Sequence, residues 1–341
     1  MKAKVFISPF DKANLGAILY QALAWVEWEK AIPRDAPVFI KPNLTYPKYK
    51  PGVTTSPEFL EEVIVAVKSR TANVYVGESD GGYRGWPAEL AFAAHNLPEI
   101  CRRQGVKLIN LSKMPTETVK LAAGNREVPL ELPALLTREI QALITVPVPK
   151  VHAITRFSGA IKNQWGCIPN NMRLRYHPLF NDCILGLNRL IKTRLAIMDG
   201  TYMLDECGPM VGKPVRMNLA VVSRDIRAAD LTCCDIMRLD ANKVWHLHSE
   251  DATTRDSLET NCVAETFARH TFKLHRPLRS WVVVFAFNRP WAIRLIWDSK
   301  IGDLLHRIMY AITGNPTRDD IQAMKSKYQA HLDPESPHRL K

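Results

Sequence analysis

The chain has 341 residues, 46% of them hydrophobic, so it is long enough to bury one large core or a core with an accessory region. Lysines and arginines number 46 against 34 aspartates and glutamates, a formal charge of +12, so the surface attracts anions such as phosphates, carboxylates and acidic lipids. The seven cysteines include no C-x-x-C pair, which argues against a disulfide framework and a structural zinc ribbon.

Strand-length apolar runs alternate with helical patterns through the first two thirds of the chain. In chain order the runs cover residues 38–40, 73–79, 106–112, 141–148, 195–200 and 219–223. Between the first two, Leu60, Ile64 and Val67 recur at three- and four-residue spacing and predict a helix, with Ser56 as its N-cap. Such alternation is typical of an α/β fold, a mostly parallel sheet with helices on both faces.

Polar residues follow the first run, where a binding loop is expected, because ligands of such sheets bind beyond the carboxyl ends of the strands. Lys41 and Asn43 supply a cation and an amide, and we predict that they bind an anionic substrate. The alternative is that Lys41 pairs with a nearby acid and Asn43 closes a turn.

Acidic residues follow two further runs. Glu78 and Asp80 lie among glycines after the second run, and Asp199 ends the fifth. We predict Glu78 as an acid-base group and Asp80 and Asp199 as substrate-binding residues, which together offer oxygen ligands to a hard cation. The alternative for Glu78 and Asp80 is a solvated turn.

Residues 149–177 hold the densest group of candidate side chains. Lys162 follows His152 by ten positions, and His177 follows Lys162 by fifteen. We predict His152 as a proton-exchanging residue, Lys162 as a catalytic cation and Asn163 as a substrate-binding amide. The alternative is that Lys162 and Asn163 anchor the loop through backbone carbonyls, with His177 at the surface.

Seven segments resemble, in sequence and in order, the family catalogued as domain of unknown function 362. They are IKPNLTYP from Ile40, GVTTSPEFLEEVI from Gly52, VYVGESDGG from Val74, TVPVPKVHAITRFSGAIKNQWGCIP from Thr145, IMDG from Ile197, ECGPMVGKP from Glu206 and SRDIRAADLTCCDIM from Ser223. The similarity spans residues 36–250 and implies no general activity, since none is assigned to the family.

The resemblance implies an association with iron-sulfur ferredoxin modules, which are often fused to family members or found with them. This chain has no C-x-x-C-x-x-C run, so an iron-sulfur partner protein is implied and a cluster in the chain itself is not. The chain also departs from the family's D-P-x-A-x-D pattern by having Ile226 and Arg227 between Asp225 and Ala228. A family role for that loop therefore transfers less directly.

A second likeness, at the level of spacing, is to the nickel-pincer lactate racemases. It implies that His152 acts in proton transfer, that Lys162 carries a lysine-linked cofactor and that His177 is a metal ligand. No second acid-base histidine matches, because His95 lies in a helical pattern. The cofactor, whether a metal ion, a lysine-linked group or none, stays open.

The sequence becomes aromatic, basic and apolar from about Thr271. We predict a core domain over residues 1–255 and a C-terminal accessory region over residues 256–341. The apolar run at residues 281–287 is too short to span a bilayer. Two interpretations fit it: an accessory strand and helix packed on the core, or an interfacial helix at a lipid surface. A polar N-terminal segment unlike a signal peptide predicts a cytoplasmic protein, with peripheral membrane contact under the second interpretation.

These features favour an enzyme that performs acid-base chemistry, such as isomerisation or racemisation, on a small anionic substrate. The competing hypothesis is a non-catalytic protein that uses the same pocket to hold a cofactor or an iron-sulfur partner. Nucleic-acid binding is disfavoured, since the basic charge is not accompanied by interleaved aromatic residues or a recognisable motif.

Overall fold

The computed structural model describes residues 2–82, 85–123, 126–248, 253–276, 278–297, 299, 302, 304 and 318–328. The strands of this part of the chain are β1 (Ala3–Pro9), β2 (Val38–Pro42), β3 (Val74–Glu78), β4 (Lys107–Asn110), β5 (Thr116–Ala123), β6 (Arg126–Pro133), β7 (Ala142–Val146), β8 (Lys150–His152), β9 (Arg156–Ser158), β10 (Thr193–Gly208), β11 (Lys213–Ser223) and β12 (Leu258–Thr260). Its helices are α1 (Leu15–Trp25), α2 (Pro57–Lys68), α3 (Ala88–Ala94), α4 (Leu97–Gln104), α5 (Ala160–Asn163), α6 (Phe180–Leu190), α7 (Ile226–Ile236), α8 (Leu278–Phe287), α9 (Pro290–Trp297) and α10 (Arg318–Lys327).

Ten of these strands form one sheet in the order β12-β1-β11-β10-β7-β2-β3-β4, with β8 paired to β10 and β9 paired to β8. Pairing is parallel from β10 through β7, β2 and β3 to β4, and antiparallel between β10, β11 and β1. The predicted α/β class with a mostly parallel sheet is therefore confirmed. Strands β5 and β6 form a separate antiparallel hairpin.

Each central strand buries both of its faces, which explains its continuous apolar run. In β2, Ile40 packs into the core formed with α1 to α4, whereas Phe39 packs into the core formed with α5 to α7. Neighbouring residues of a strand point to opposite faces, so the two cores alternate along the run. The predicted helix after β2 is confirmed as α2, and the Ser56 side chain caps it by accepting a hydrogen bond from the Phe59 N–H.

One strand runs further than the sequence indicates. The run at residues 195–200 was predicted to end at Asp199 and Gly200, and this end point is wrong, since β10 continues to Gly208. Its ladder with β11 shifts register between Gly200 and Tyr202 and then resumes. A Cβ on Gly200 would lie 2.2 Å from the Leu219 carbonyl oxygen, so a glycine is needed for the two strands to pair closely. In the sequence, this glycine after Asp199 looks like a turn.

The C-terminal region contributes one strand to the sheet and several helices. Strand β12 pairs in parallel with β1, so residues beyond the predicted boundary at 255 rejoin the core sheet. The division at that residue stays a prediction. Residues 281–287 lie in helix α8, so the accessory strand expected there is wrong. Among the described residues no helix is both long and apolar enough to cross a membrane.

Candidate functional site

The first polar group at the carboxyl ends of the strands is a buried ion pair. The Lys41 ammonium donates to the Glu78 carboxylate and also to the Pro42 carbonyl oxygen at 2.9 Å. The second oxygen of Glu78 accepts the Ser79 N–H at 3.0 Å. Lysine and glutamate therefore satisfy each other, as the alternative interpretation of Lys41 proposed, and their predicted substrate-binding and acid-base roles stay predictions.

The glycine of the segment KNQWGCIP lies directly over this ion pair. A Cβ on Gly166 would come within 2.5 Å of a Glu78 carboxylate oxygen and 3.0 Å of the Lys41 nitrogen. The backbone can therefore approach the two charges only because position 166 has no side chain. Ser79 adds a hydrogen bond from its hydroxyl to the Gly166 carbonyl at 2.5 Å, which fixes the loop in place.

The two predicted asparagines join neighbouring segments of backbone. The Asn163 amide donates to the Lys41 carbonyl and to the Thr145 hydroxyl, both at 3.0 Å, and so ties α5 to β2 and β7. The Asn43 side chain accepts the Thr45 N–H at 3.1 Å, which closes a local turn. Both side chains are buried, and their substrate-binding roles stay predictions.

Asp199 and Asp80 are also engaged within the fold. The buried carboxylate of Asp199 accepts the Ser56 N–H at 2.7 Å and the Thr201 hydroxyl at 2.5 Å, while burial raises its pKa. Asp80 accepts the Ala88 N–H at 2.8 Å and the Asn110 amide at 2.9 Å. These contacts place both acids as supports for α2 and α3, and the structure does not bring them together with Lys162.

A second polar group lies around Lys162, on the short helix α5. The carboxylate of Asp230, on α7, accepts the N–H groups of Ala160 at 2.6 Å and of Ile161 at 3.0 Å, and so caps that helix. A Cβ on Gly159 would lie 2.2 Å from the same carboxylate, which requires glycine at this position. Asp230 thus positions Lys162, although the sequence marked it only as part of a family pattern.

The Lys162 ammonium has no hydrogen bond and no ion pair within the described residues. Its nitrogen lies 5.7 Å from the centre of the Phe180 ring, a weak cation-π contact. Burial, with the charge of Arg173, lowers the pKa of Lys162 to about 8. A largely buried cation without an anion beside it is energetically costly, so this lysine is available to a ligand.

His152 lies at the end of β8 and belongs to the same cluster. Its Nδ1 accepts the N–H groups of Ile154 at 3.1 Å and of Thr155 at 3.3 Å, so the ring proton lies on Nε2. Burial lowers the pKa of His152 well below its usual value, with further contributions from the charges of Lys162 and Lys150. His152 is therefore a neutral hydrogen-bond donor in this structure.

His177 shows the opposite tautomer. Its Nδ1–H donates to the Leu174 carbonyl at 3.1 Å, which leaves the Nε2 lone pair without a partner among the described residues. Burial, followed by the charge of Lys162, lowers the pKa of His177 to about 3. The ring stacks on Phe287 of α8 at 4.4 Å between centres. A neutral imidazole with a free lone pair suits proton acceptance or metal binding.

Two members of the cluster were not indicated by the sequence. His246 is buried, neither of its ring nitrogens has a hydrogen-bond partner in the described part of the chain, and burial lowers its pKa to about 3. Lys150 is buried beside the Val53 carbonyl, and burial, with the charge of Lys162, lowers its pKa to about 7. A lysine inside the apolar segment TVPVPKV was the available signal for Lys150, whereas His246 lies in the short 3-10 helix Trp245–Leu247, where the sequence offers no such signal.

We call Lys150, His152, Lys162, His177 and His246 the histidine-lysine cluster. The Lys162 nitrogen and the rings of His177 and His246 lie 5.7, 6.2 and 5.9 Å from the centre of the Phe180 ring. The charge of Lys162 lowers the pKa of all three histidines, His152 included, so the three predicted residues converge on one region. Burial is the largest cause of the lowered pKa of every member, and lysine and arginine charges lower these pKa values further. A largely buried cluster that carries positive charge and has no carboxylate among its members attracts an anion.

A metal role for His177 is tested by its surroundings. Its free Nε2 is a suitable ligand atom, yet within the described ranges no group of three histidine, cysteine, aspartate or glutamate side chains is arranged to hold a metal ion. The predicted metal-binding role of His177 therefore stays a prediction.

A separate cleft of about 540 Å³ lies where β1 and β10 begin. Its wall includes the basic residues Lys2, Lys4, Arg189, Arg194, Arg224 and Arg227. This cleft has charge but none of the histidines, and so lacks a group that takes up or releases protons near neutral pH.

The model of the family described as Domain of unknown function (DUF362) matches residues 38–235. The chain belongs to this family. The matched segment includes Lys41, Glu78, His152, Lys162 and His177, and it ends before His246. The DUF362 segment thus contributes both the ion pair and most of the histidine-lysine cluster.

Among curated proteins, the chain is 26% identical over 218 residues to the Thylakoid-associated protein sll1697 of Synechocystis sp., covering 60% of this chain and 63% of that protein. Among solved structures, it is similar to a protein from Thermotoga maritima (TM-score 0.46, 14% identity, 68% of this chain and 60% of the other). The lactate racemase apoprotein from Thermoanaerobacterium thermosaccharolyticum gives a TM-score of 0.46 and 16% identity, over 70% of this chain and 57% of the other. The chain thus spans less than two thirds of each of these proteins.

Proposed function

We propose that this DUF362 protein is an enzyme that binds a small anionic substrate at the histidine-lysine cluster and moves a proton within it. The observation that supports the proposal is the Lys162 ammonium, largely buried with no ion pair in the described residues. A carboxylate or phosphate of the substrate supplies the missing negative charge. Binding then restores the pKa of Lys162 toward its usual value and holds the substrate beside three neutral imidazoles.

The tautomers of the two histidines suggest different roles in this reaction. The Nε2 lone pair of His177 is free, and the negative charge of a bound substrate raises the pKa of this ring from about 3. In that complex His177 suits a base that removes a proton from carbon. The Nε2–H of His152 suits a donor that stabilises the negative charge developing on an oxygen of the substrate. Return of the proton to the same or another position gives racemisation or isomerisation. Lys41 and Glu78 then support the site by holding the loop of Gly166.

Proton exchange in heavy water tests this reaction class. The protein is incubated with small carboxylates that bear a C–H next to a carbonyl or carboxyl carbon, and proton NMR follows loss of the C–H signal. We expect exchange with the native protein and none with His177→Phe, which retains the ring stack on Phe287. Exchange that proceeds equally well in His177→Phe would contradict the role given to this histidine.

A lysine-linked cofactor is a second candidate, favoured by the lowered pKa values of Lys150 and Lys162, which leave part of each amine uncharged near neutral pH. Intact-protein mass measurement of the natively purified chain tests it. An added mass that maps to one of these lysines supports the cofactor, whereas the unmodified mass contradicts it. The non-catalytic alternative, with an iron-sulfur partner protein, predicts instead a bound partner and no proton exchange.

The setting of the reaction is the last part of the proposal. The Synechocystis relative is named a thylakoid-associated protein. We propose that this chain likewise works in the cytoplasm at a membrane surface, held there peripherally. Fractionation of the producing cells tests this: the protein is expected in the membrane pellet and released by high salt or alkaline washing.

A further inference from the structure

Exposed large apolar side chains concentrate in one short segment of the described chain. Five of the nine such residues lie between positions 281 and 304, namely Trp281, Phe285, Trp291, Leu295 and Leu304. The other four, Tyr20, Val211, Trp245 and Val263, are scattered over the sequence. Single exposed apolar residues need no explanation, but a cluster that includes two tryptophans indicates a surface that binds something.

The cluster covers one side of a helical hairpin. Trp281 and Phe285 are four residues apart on α8, and Trp291 and Leu295 are four residues apart on α9, so each pair lies on one side of its helix. The rings of Phe285 and Trp291 meet edge to face at 6.2 Å and join the two helices. We call Trp281, Phe285, Trp291 and Leu295 the docking face.

The opposite side of the hairpin packs on the body of the protein. Ala286, Ala292 and Ile293 are buried, and Phe287 stacks on His177. The hairpin is therefore held against the histidine-lysine cluster while the docking face, with its side chains between 40% and 59% exposed, turns to solvent. Exposure of the docking face does not arise from a detached or unpacked helix.

The positive charge of the segment that contains α8 and α9 favours an anionic partner. Residues 276–297 contain four arginines and no acidic residue. The Arg289 guanidinium lies 3.9 Å from the centre of the Phe285 ring, and that of Arg276 lies 5.1 Å from the Trp281 ring. Tryptophan beside arginine is the composition of interfacial helices, in which the rings enter the headgroup region and the guanidinium groups contact lipid phosphates.

We propose that α8 and α9 form a membrane-docking surface that inserts the docking face into the interface of a bilayer rich in anionic lipids. The helices have ten and eight residues, roughly 15 and 12 Å at the helical rise, so they lie along the surface. Docking places the histidine-lysine cluster beside the membrane through the contact of Phe287 with His177. This surface extends the proposed membrane setting and rests on that part of the proposed function, but not on the proposed reaction.

Vesicle co-sedimentation of the full chain tests the docking face. The vesicles contain phosphatidylcholine alone or phosphatidylcholine mixed with phosphatidylglycerol, and the matched variants are Trp281→Ser/Trp291→Ser and Tyr20→Ser/Val263→Ser. We expect the native protein to bind the anionic vesicles, more weakly at high salt, with a blue shift of tryptophan fluorescence. The docking-face variant should bind at least about tenfold more weakly, since it loses two tryptophans that enter the bilayer on binding. The control variant should bind as the native protein does.

Circular dichroism of each variant checks that the fold is retained. Equal binding by native protein and docking-face variant overturns the proposal, and so does failure of the native protein to bind either vesicle. A native dimer that becomes monomeric in the docking-face variant also overturns it, by assigning the surface to a second copy of the chain. Anion binding at Lys162, measured on the same preparations without vesicles, distinguishes a failed docking face from a failed reaction: its presence leaves the proposed chemistry standing.

Discussion

Lys41 and Lys162 illustrate two ways in which one fold encloses a lysine near the carboxyl ends of its strands. Lys41 has the Glu78 carboxylate and a backbone carbonyl, and a glycine closes over the pair. Lys162 has an aromatic ring and positively charged or neutral neighbours. The first arrangement is complete without a ligand, whereas the second lacks an anion. A buried charge therefore indicates a binding site where the described residues offer it no partner of opposite charge.

The largest effect is expected at the completed pair. Lys41→Met leaves the Glu78 carboxylate buried without its cation, so the free energy of unfolding should fall by about 3–5 kcal/mol. Chemical denaturation measures it. The control is Lys41→Met/Glu78→Gln, which removes both charges and should recover part of the loss. A loss below about 1 kcal/mol in the single variant would mean that the two charges are not enclosed as described.

The support of Lys162 should give the next largest effect. Asp230→Ala leaves the Ala160 and Ile161 N–H groups without acceptors, which should cost about 2–3 kcal/mol in unfolding free energy and weaken anion binding through a misplaced α5. Asp225→Ala is the matched control, because Asp225 caps α7 in the same way through the Arg227 and Ala228 N–H groups. It should lower stability while retaining anion affinity. Equal losses of affinity in both variants would contradict a specific role for Asp230.

Acid should destabilise the cluster. His177 and His246 have pKa values lowered to about 3 by burial, so both stay neutral in the folded state while the unfolded chain takes up protons below its ordinary histidine pKa. Their contribution to stability is present above about pH 6.5 and is lost as pH falls toward 3, by about 1.4 kcal/mol per pH unit for each ring. Unfolding curves between pH 7 and 5 should show a smaller slope for His246→Phe. A slope in His246→Phe equal to that of the native protein would contradict the neutral, buried state of His246.

The smallest change in stability is expected at Lys162 itself. Lys162→Met removes a buried charge that has no carboxylate to leave behind, so unfolding free energy should stay within about 1 kcal/mol of the native value or rise. Differential scanning calorimetry beside Lys41→Met makes the contrast direct. A large destabilisation would show that Lys162 anchors the loop, the alternative interpretation of its place in the sequence.

The elements of this fold could be predicted from local patterns, since apolar runs and a serine-proline helix start are short-range signals. The pairing of Lys41 with Glu78 could not be predicted, because it requires β2 and β3 to be neighbours in the sheet. The local sequence of neither strand determines the strand order. His246 was missed because only tertiary packing brings it to the cluster, through a contact with Phe180 at 5.9 Å between ring centres. The end of the strand was wrongly predicted at Asp199, because Gly200 permits close strand pairing but looks, in sequence, like the start of a turn.

Lys162 is proposed to bind an anion, since no carboxylate of the described residues pairs with it. Isothermal titration calorimetry of native protein, Lys162→Met and Lys162→Arg with small carboxylates and inorganic phosphate, at pH values on both sides of 8, tests it most directly. We expect at least one of these anions to bind at neutral pH, with an affinity that falls as pH rises through the pKa of Lys162. Lys162→Met should lose at least about tenfold in affinity, and Lys162→Arg should retain part of the affinity at high pH. Affinity that is independent of pH and unchanged in Lys162→Met would contradict it.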